Sequence, residues 1–289
     1  MKQKRLGRQT VVFEAPPRIA AGATIVGDME GAGPLGGYFD LILEDDTWGE
    51  DTWEKAERKM FEQTVRRALE RCAMQPAEID LLLGGDLLNQ IITANFAARE
   101  LAIPFLGLYG ACSTMAESLL LDSMLIDGGY AGHVACAATS HFSTAERQYR
   151  FPLEMGGQTT PTAQRTVTGA GSSLLVEAGY AGGAQFRHIF VTGGTIGRGV
   201  DLGITDANNM GAAMAPAAAD TLAAHLREQN RTVSDYDMIV TGDLGSFGSE
   251  MFNELCRDKG IDLSDRHRDC GNMIFDLAQK VDCGGSGCG

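Results

Sequence analysis

The segment IPFLGLYGACSTMAE, residues 103–117, decides the fold of this chain. It opens as an apolar run that predicts a buried strand, turns at a glycine, and continues into an apolar helix just past Cys112. A thiol at such an elbow lies beside the free backbone N–H groups and the positive end of the helix. That setting favours a thiolate and can hold an oxyanion. The segment therefore predicts an α/β fold with a candidate site at Cys112.

An internal duplication is the second informative feature. Residues 76–87 (PAEIDLLLGGDL) and 233–244 (VSDYDMIVTGDL) each contain a polar turn, an Asp, a buried strand and Gly-Asp-Leu. Each also follows a predicted helix, over 53–72 and 217–229. We therefore predict two copies of one α/β unit, in which Gly85 and Gly242 are equivalent. The corresponding domains are 1–185, which carries the Cys elbow, and 186–289.

The duplication also predicts a counterpart of the Cys112 elbow, which we assign to the Gly-rich turn at 282–289 (DCGGSGCG). After its elbow the first copy continues with a helix from Met115 to about Ile126, followed by strands over 133–139 and 171–177. The second copy lacks this continuation, so we expect its C-terminal half to be truncated and to leave a sheet edge exposed. The helix after Cys112 is apolar almost all round and is expected to be buried on several sides.

Composition excludes several classes of function. The formal net charge of -14 argues against nucleic-acid binding. It also means that an anionic ligand would need a local cationic pocket or a bridging metal ion. Seven irregularly spaced cysteines predict a reducing compartment rather than a disulfide framework. With neither an apolar run long enough for a transmembrane segment nor a secretory signal peptide, we expect a soluble protein.

The duplicated α/β half, the Cys elbow and the run TGAGSS at 168–173 resemble the thiolase superfamily, in particular its ketoacyl synthase III branch. More narrowly, the chain resembles the stage V sporulation protein AD family. The strings that carry this likeness are 107–115 (GLYGACSTM), 138–143 (ATSHFS), 149–154 (YRFPLE), 161–171 (PTAQRTVTGAG) and 282–289 (DCGGSGCG). The resemblance implies a duplicated thiolase-like α/β fold, layered αβαβα, with two mixed sheets around buried helices.

The same resemblance implies a function. Such a protein would bind dipicolinic acid, or its calcium chelate, and act with other stage V sporulation A membrane proteins to move this compound into the developing spore. It would be a homodimer, peripheral at the forespore or spore inner membrane. No cofactor is expected, although calcium could enter as part of the ligand.

The residues that would assist Cys112 in a condensing enzyme are missing from their expected positions. Gly242 stands where the second-half strand should end in a His, and we place the Asn position of the condensing branch at Gly285. A thiolate without these helpers lacks the polar groups that condensation needs at the oxyanion. We therefore predict that Cys112 is a vestigial nucleophile position that contacts a ligand, and that the protein is not an enzyme.

Two alternatives to this prediction stay open. The first is a Cys112-dependent acyl-transfer or condensing enzyme that acts on acyl thioesters. The second is a structural docking subunit with a vestigial pocket.

Arginine is the best partner for a dicarboxylate because its fork matches a carboxylate bidentately. Each candidate arginine has the alternative of a surface ion pair or a dimer contact. The candidates are Arg147 and Arg150, which follow His141 closely, and Arg165 and Arg198, which lie in Gly/Thr-rich loops.

Polar residues at strand ends complete the predicted ligand site. His141 and Ser143 follow a predicted strand at the end where pocket residues gather in α/β folds. His141 either donates to a ligand carboxylate or is a loop histidine with local hydrogen bonds. Asp86 and Asp243 end equivalent strands and either hold Ca²⁺ or cap the following helices.

Overall fold

A computed structural model describes residues 4–149 and 160–287. The described residues divide into two compact units. The elbow unit contains 13–149, 166–192 and 287, and the C-terminal unit contains 4–12, 160–165 and 193–286.

This division differs from the single boundary predicted between residues 185 and 186. The difference arises because two early segments pack with the C-terminal unit. In the first, the backbone of residues 10–12 pairs with residues 193–195. In the second, the Arg165 N–H donates to the carbonyl of Gly284 at 2.9 Å.

The helices and strands are numbered in chain order. The helices are α1 Asp28–Gly31, α2 Trp53–Glu70, α3 Ile92–Leu101, α4 Thr114–Asp127, α5 Phe142–Tyr149, α6 Met210–Gln229, α7 Gly245–Asp258 and α8 Cys270–Ile274. The strands are β1 Arg5–Leu6, β2 Thr10–Val12, β3 Arg18–Val26, β4 Leu41–Ile42, β5 Leu81–Asp86, β6 Phe105–Gly107, β7 His133–Ser140, β8 Arg165–Thr166, β9 Gly169–Val176, β10 Gly193–Thr195, β11 Ile239–Thr241, β12 His267–Asp269 and β13 Gly285–Ser286.

A mixed six-stranded sheet with the order β4-β3-β9-β7-β5-β6 forms the centre of the elbow unit. Successive residues of its strands point to opposite faces: Leu82 packs in the core under α2 and α3, and Leu83 packs in the core under α4. The inner strands are apolar on both faces because helices cover both sides of the sheet. The result is a three-layer α/β/α unit.

Helix α4 differs from its prediction. Its fully buried positions include Thr114, Ser118 and Asp122, which follow one another at a spacing of four residues and so lie on one face. Met124 is exposed, and the leucines of the helix are only partly buried. The prediction that α4 is buried on several sides is therefore wrong. Small polar side chains, rather than the leucines, occupy its most buried face.

The C-terminal unit contains smaller sheets. Strands β11 and β12 are parallel, and β1-β2-β10 form a separate sheet. Helix α6 begins at Met210, earlier than predicted, because the Asn209 side chain caps it by accepting the N–H of Ala212 at 3.1 Å. Met238, just before β11, and Val240, within it, have exposed side chains.

A carboxylate fixes the N-terminal strands to α6. The two oxygens of Glu228 accept the backbone N–H groups of Arg8, Gln9 and Thr10 at 2.9–3.0 Å. These hydrogen bonds lower the pKa of Glu228 to about 2.

Among the described residues, no helix combines the length and apolar character needed to cross a bilayer.

The two glycines that the duplication makes equivalent are under different steric constraints. A Cβ on Gly85 would lie 2.0 Å from the carbonyl oxygen of Leu108, so only glycine fits between β5 and the segment that leads to Cys112. A Cβ on Gly242 would have no heavy atom within 4 Å. Packing therefore requires the first glycine and leaves the second free to change.

We expect Gly85→Ala to lower the free energy of unfolding by about 1–3 kcal/mol, because the strands must separate to admit the methyl group. The matched control, Gly242→Ala, should stay within about 0.5 kcal/mol of the parent chain. Urea unfolding followed by circular dichroism measures both. Equal losses in the two variants would show that the close approach at Gly85 does not matter.

Candidate functional site

Cys112 lies in a tight elbow between β6 and α4. It is the central residue of a 3-10 turn, Ala111–Ser113, and its side chain is partly exposed. Ala111 has a φ of 49°, in the left-handed region that a non-glycine residue adopts at a cost of about 1–2 kcal/mol. The elbow thus holds the thiol in a strained turn at the start of a helix of 14 residues.

The N-terminus of α4 has no side-chain cap among the described residues. Ser113 bonds backwards instead: its N–H and its Oγ–H both donate to the carbonyl of Gly110, at 3.1 and 2.9 Å. The N–H of Thr114, the first residue of α4, donates to the carbonyl of Ala111, so the positive end of the helix lies at the 3-10 turn that holds Cys112. One anionic group is already near, because Oε2 of Glu117 would lie 2.4 Å from a Cβ on Gly110.

Two tyrosines flank the elbow, and the sequence analysis did not identify them. The hydroxyl of Tyr109 lies 3.5 Å from that of Tyr149 and donates to Oδ1 of Asn89 at 3.3 Å. Tyr149 donates to the carbonyl of Leu87. Both tyrosines lie in strings that carry the family resemblance, which is the signal that could have marked them.

His141 is buried and both of its ring nitrogens are occupied. Nδ1 accepts the N–H of Ser143 at 3.1 Å, so Nε2 carries the proton and donates to the carbonyl of Asp46 at 2.7 Å. Burial lowers the pKa of His141 and keeps the ring neutral. The structure supports the local-hydrogen-bond alternative over direct contact with a ligand carboxylate. The Ser143 hydroxyl also turns to this loop and donates to Oδ2 of Asp46 at 3.3 Å.

Asp86 fixes the start of α3. Its Oδ1 accepts the N–H of Leu88 and its Oδ2 accepts the N–H of Ala94, both at 2.8 Å. This supports the capping alternative for Asp86. In the C-terminal unit Asp269 accepts the N–H groups of Leu244 and Gly245 at the start of α7.

Glu57, which the sequence analysis did not identify, is a second buried carboxyl beside Asp86. Burial, and then the charge of Asp86, raise the pKa of Glu57 well above its ordinary value. Its Oε2 lies 2.8 Å from the Thr144 hydroxyl, which also lies 3.0 Å from the His141 carbonyl. A protonated Glu57 lets both contacts be hydrogen bonds, because the Thr144 hydroxyl then has to donate only once. Burial also raises the pKa of Asp86.

The predicted arginine ligands have partners of their own where the structure describes them. Arg147 pairs with Glu54 and stacks over Trp53. Arg198 is exposed and pairs bidentately with Asp220 at 2.8 Å in the C-terminal unit. That pair matches the ion-pair alternative. Arg165 begins β8, also in the C-terminal unit, and Arg150 lies outside the described residues.

The structure corrects the counterpart of the Cys112 elbow. In the elbow unit, β6 lies parallel to β5 and leads into the elbow. In the C-terminal unit, β12 lies parallel to β11 and leads directly into α8, so the turn at 269–272 is the topological counterpart. The assignment to the Gly-rich turn is wrong because Gly285 lies in β13, which pairs with β8.

With the counterpart elbow at 269–272, Asn272 and not Gly285 occupies the expected Asn position of the condensing branch. Its Nδ2 donates to the Ser249 hydroxyl at 3.0 Å. The pair Gly271-Asn272 directly after β12 is a sequence signal that could have identified it. Cys283, in the Gly-rich turn, instead accepts the N–H of Phe247 at 3.4 Å in the first turn of α7.

No group of three or more His, Cys, Asp or Glu side chains suited to a metal ion occurs in the part of the chain that the structure describes. The oxygens of Asp86 are engaged by backbone N–H groups.

The sequence of the chain matches one protein family. The family model for stage V sporulation protein AD (SpoVAD) matches residues 7–289. Stage V sporulation protein AD of Bacillus subtilis (strain 168) is 45% identical over 285 residues, which cover 99% of this chain and 82% of the relative.

Solved structures show the fold. An OleA variant from Xanthomonas campestris matches with a TM-score of 0.58 and 15% identity over 89% of this chain and 85% of that one. The 3-oxoacyl-(acyl-carrier-protein) synthase III of Aquifex aeolicus matches with a TM-score of 0.54 and 13% identity, over 88% and 83%. These likenesses confirm the predicted thiolase-like α/β fold of the ketoacyl synthase III kind.

The raised pKa values of Glu57 and Asp86 predict a pH dependence of stability. The folded protein holds protons that the unfolded chain releases above the ordinary glutamate value of 4.5, so stability falls as pH rises from there toward the raised values. We expect Glu57→Gln to flatten this fall. Urea unfolding at several pH values measures it.

Glu70→Gln, at an exposed position at the end of the same helix, is the control and should keep the parent slope. Asp86, Asp122 and Asp269, whose pKa values burial also raises, would supply the slope that remains. An unchanged slope in Glu57→Gln would show that Glu57 is ionised in the folded protein.

Proposed function

Since the chain belongs to the stage V sporulation protein AD family, we propose that it binds dipicolinic acid, or its calcium chelate, at the Cys112 elbow and does not turn it over. The observation that carries the proposal is the elbow itself: a partly exposed thiol beside the uncapped N-terminus of α4. The positive end of a helix is suited to a carboxylate.

The charges near the elbow favour the calcium chelate over the free dianion. Glu117 adds a carboxylate to the turn that a dianion would enter, and the whole chain carries a formal charge of -14. Calcium bound to the ligand would lower this repulsion and could accept a carboxylate oxygen of Glu117 as a further ligand. In this proposal calcium binds as part of the ligand and is not a resident cofactor.

The predicted arginines would join this site by exchanging partners. Arg147 is exposed, so the ligand would compete with Glu54 for its guanidinium. An exposed ion pair is worth about 0–1 kcal/mol, so such an exchange has a small cost. Arg150 keeps its sequence-based role as a candidate.

The lack of turnover in the proposal rests on Gly242. This residue follows β11 where the condensing branch has a His, and it offers no group to polarise a thioester or accept a proton. The acyl-transfer alternative keeps Cys112 and gains Asn272, which the topology places at the counterpart elbow. That alternative therefore has to be tested directly.

The proposal includes a homodimer and membrane partners. Strand β6 ends the six-stranded sheet, and Leu106 within it and Tyr109 just after it are 51% and 56% exposed. An apolar edge strand favours pairing with another chain. We propose that two copies pair along β6, and that the dimer works with other stage V sporulation A membrane proteins, peripherally at the forespore or spore inner membrane. Family membership supports this last step.

Titration calorimetry with dipicolinate, with and without Ca²⁺, tests the ligand site. We expect saturable binding that is tighter with Ca²⁺, and about tenfold weaker in Cys112→Ala, a loss of about 1.4 kcal/mol. Cys270→Ala removes an exposed thiol from the other unit and should bind like the parent. Equal affinities of parent and Cys112→Ala, or no binding by the parent, would contradict the proposed site.

Incubation with acyl-CoA followed by intact-mass measurement tests the alternative. We expect no acyl adduct on Cys112 and no release of free CoA above the Cys112→Ala background. An adduct that Cys112→Ala abolishes would favour the acyl-transfer enzyme over the binding protein.

Sedimentation of the parent and of Leu106→Lys tests the dimer. A buried charge at the paired edge should shift the protein toward monomer. Leu202→Lys, at an exposed position in the C-terminal unit, is the control and should keep the parent's state. A monomeric parent would refute the dimer.

A further inference from the structure

A groove between α2 and α3 has no role in the proposed function. Its volume is about 320 Å³, it opens to solvent, and it lies within the elbow unit. Pockets of this size are at the small end of those that hold low-molecular-weight ligands. Its lining includes Lys55, Arg58, Ile92, Thr93, Phe96 and Arg99, and none of residues 110–117.

The cationic side chains that line the groove outnumber the carboxylates that pair with them by one. Glu100 serves two arginines: Arg99 pairs with it at 2.5 Å and Arg58 lies 3.8 Å away. These contacts, the hydrogen bond from Arg99 first, lower the pKa of Glu100. The remaining charges are matched one to one, because Lys55 pairs with Asp51 and the lining residue Glu54 pairs with Arg147.

Of the three cationic side chains that line the groove, Arg58 makes the most distant ion pair, at 3.8 Å from Glu100. Its side chain is only partly exposed, and its Nε has no hydrogen-bond partner among the described residues. A guanidinium carries five donors in a planar fork that suits a carboxylate. One bound carboxylate would supply the charge that is missing.

The floor of the groove is apolar and exposed. Ile92 and Phe96 are each 45% exposed, and they lie four residues apart on one face of α3. The guanidinium of Arg99 lies over the Phe96 ring, 5.1 Å from its centroid. Exposed apolar side chains beside arginines give a ligand both a flat surface and a charged anchor.

The floor is also held rigidly. The N–H of Ala94, the residue after Thr93, donates to the buried Asp86 at 2.8 Å, which fixes the first turn of α3. The opposite wall, α2, contains the buried Glu57 next to Arg58. A site on two such fixed helices is formed before a ligand arrives.

We propose that the α2/α3 groove binds a small organic acid that has a flat apolar body and a carboxylate. The charge shortfall of one unit fits a monocarboxylate better than a polyanion such as a nucleotide. The flat body would lie on Ile92 and Phe96 while the carboxylate bridges Arg58 and Arg99. This site is separate from the proposed Cys112 site and does not depend on it.

Binding of benzoate, measured by titration calorimetry and by ligand-observed NMR, tests the proposal. Benzamide has the same flat ring without the charge, and cyclohexanecarboxylate has the charge without the flat ring. We expect saturable binding of benzoate, weaker binding of cyclohexanecarboxylate and none of benzamide. Arg99→Gln should weaken benzoate binding about tenfold, the loss of one charge-assisted hydrogen bond.

Two controls separate this site from others. Arg227→Gln removes an arginine about as exposed as Arg99 from the C-terminal unit and should bind benzoate like the parent. Cys112→Ala should also bind it unchanged. Phe96→Leu, which keeps an apolar floor without the ring, should reduce the preference for benzoate over cyclohexanecarboxylate.

Three results would overturn the proposal: no saturable binding of benzoate to the parent, equal binding to the parent and Arg99→Gln, or loss of binding in Cys112→Ala alone. The last result would move the acid to the Cys112 elbow and leave the proposed function intact. Failure of dipicolinate at Cys112 with benzoate still bound at the groove would separate the two proposals the other way.

Discussion

The close approach of backbone to Gly84 and Gly85 in β5 holds the rest of the elbow unit in place. A Cβ on either residue would lie 2.0 Å from a carbonyl oxygen, that of Ala137 in β7 or that of Leu108 beyond β6. Without side chains there, β5 pairs with both neighbours, and the N–H of Leu108 donates to Gly84 at 2.8 Å. The elbow begins at Gly110, two residues after Leu108, so the close backbone packing that these two glycines allow sets the position of Cys112.

The carboxyl end of β5 then connects the elbow to the helices. Asp86 uses both oxygens to fix α3, and its neighbour Glu57 is tied through Thr144 to the carbonyl of His141. When two carboxyl groups lie close together in the interior, one of them is favoured to stay protonated, because two unpaired negative charges there would be costly. The interior polar groups of this unit thus serve the framework, which explains why His141 and Asp86 are engaged internally rather than turned to a ligand.

Local patterns predicted most of the elements, and non-local contacts account for the errors. The strands through 81–86 and 133–140 and the helix from Thr114 follow from apolar runs and turns. The partner of His141 is the carbonyl of Asp46, 95 positions away, and no local pattern indicates it. The counterpart elbow was misplaced because one Gly-containing turn follows β12 directly and another lies at 282–289, and only the pairing of β12 with β11 distinguishes them.

The two glycines that the predicted duplication makes equivalent differ in what their surroundings require. In the elbow unit the repeat glycine is fixed by a backbone contact, so it records packing. In the C-terminal unit Gly242 has open space where a Cβ would stand, so neither sterics nor a positive φ calls for glycine there. Packing around the α-carbon therefore leaves this position open to a residue with a Cβ. The proposal that the Cys112 site holds a compound without transforming it therefore rests on the chemistry that Gly242 cannot supply, and not on a steric need for glycine at that position.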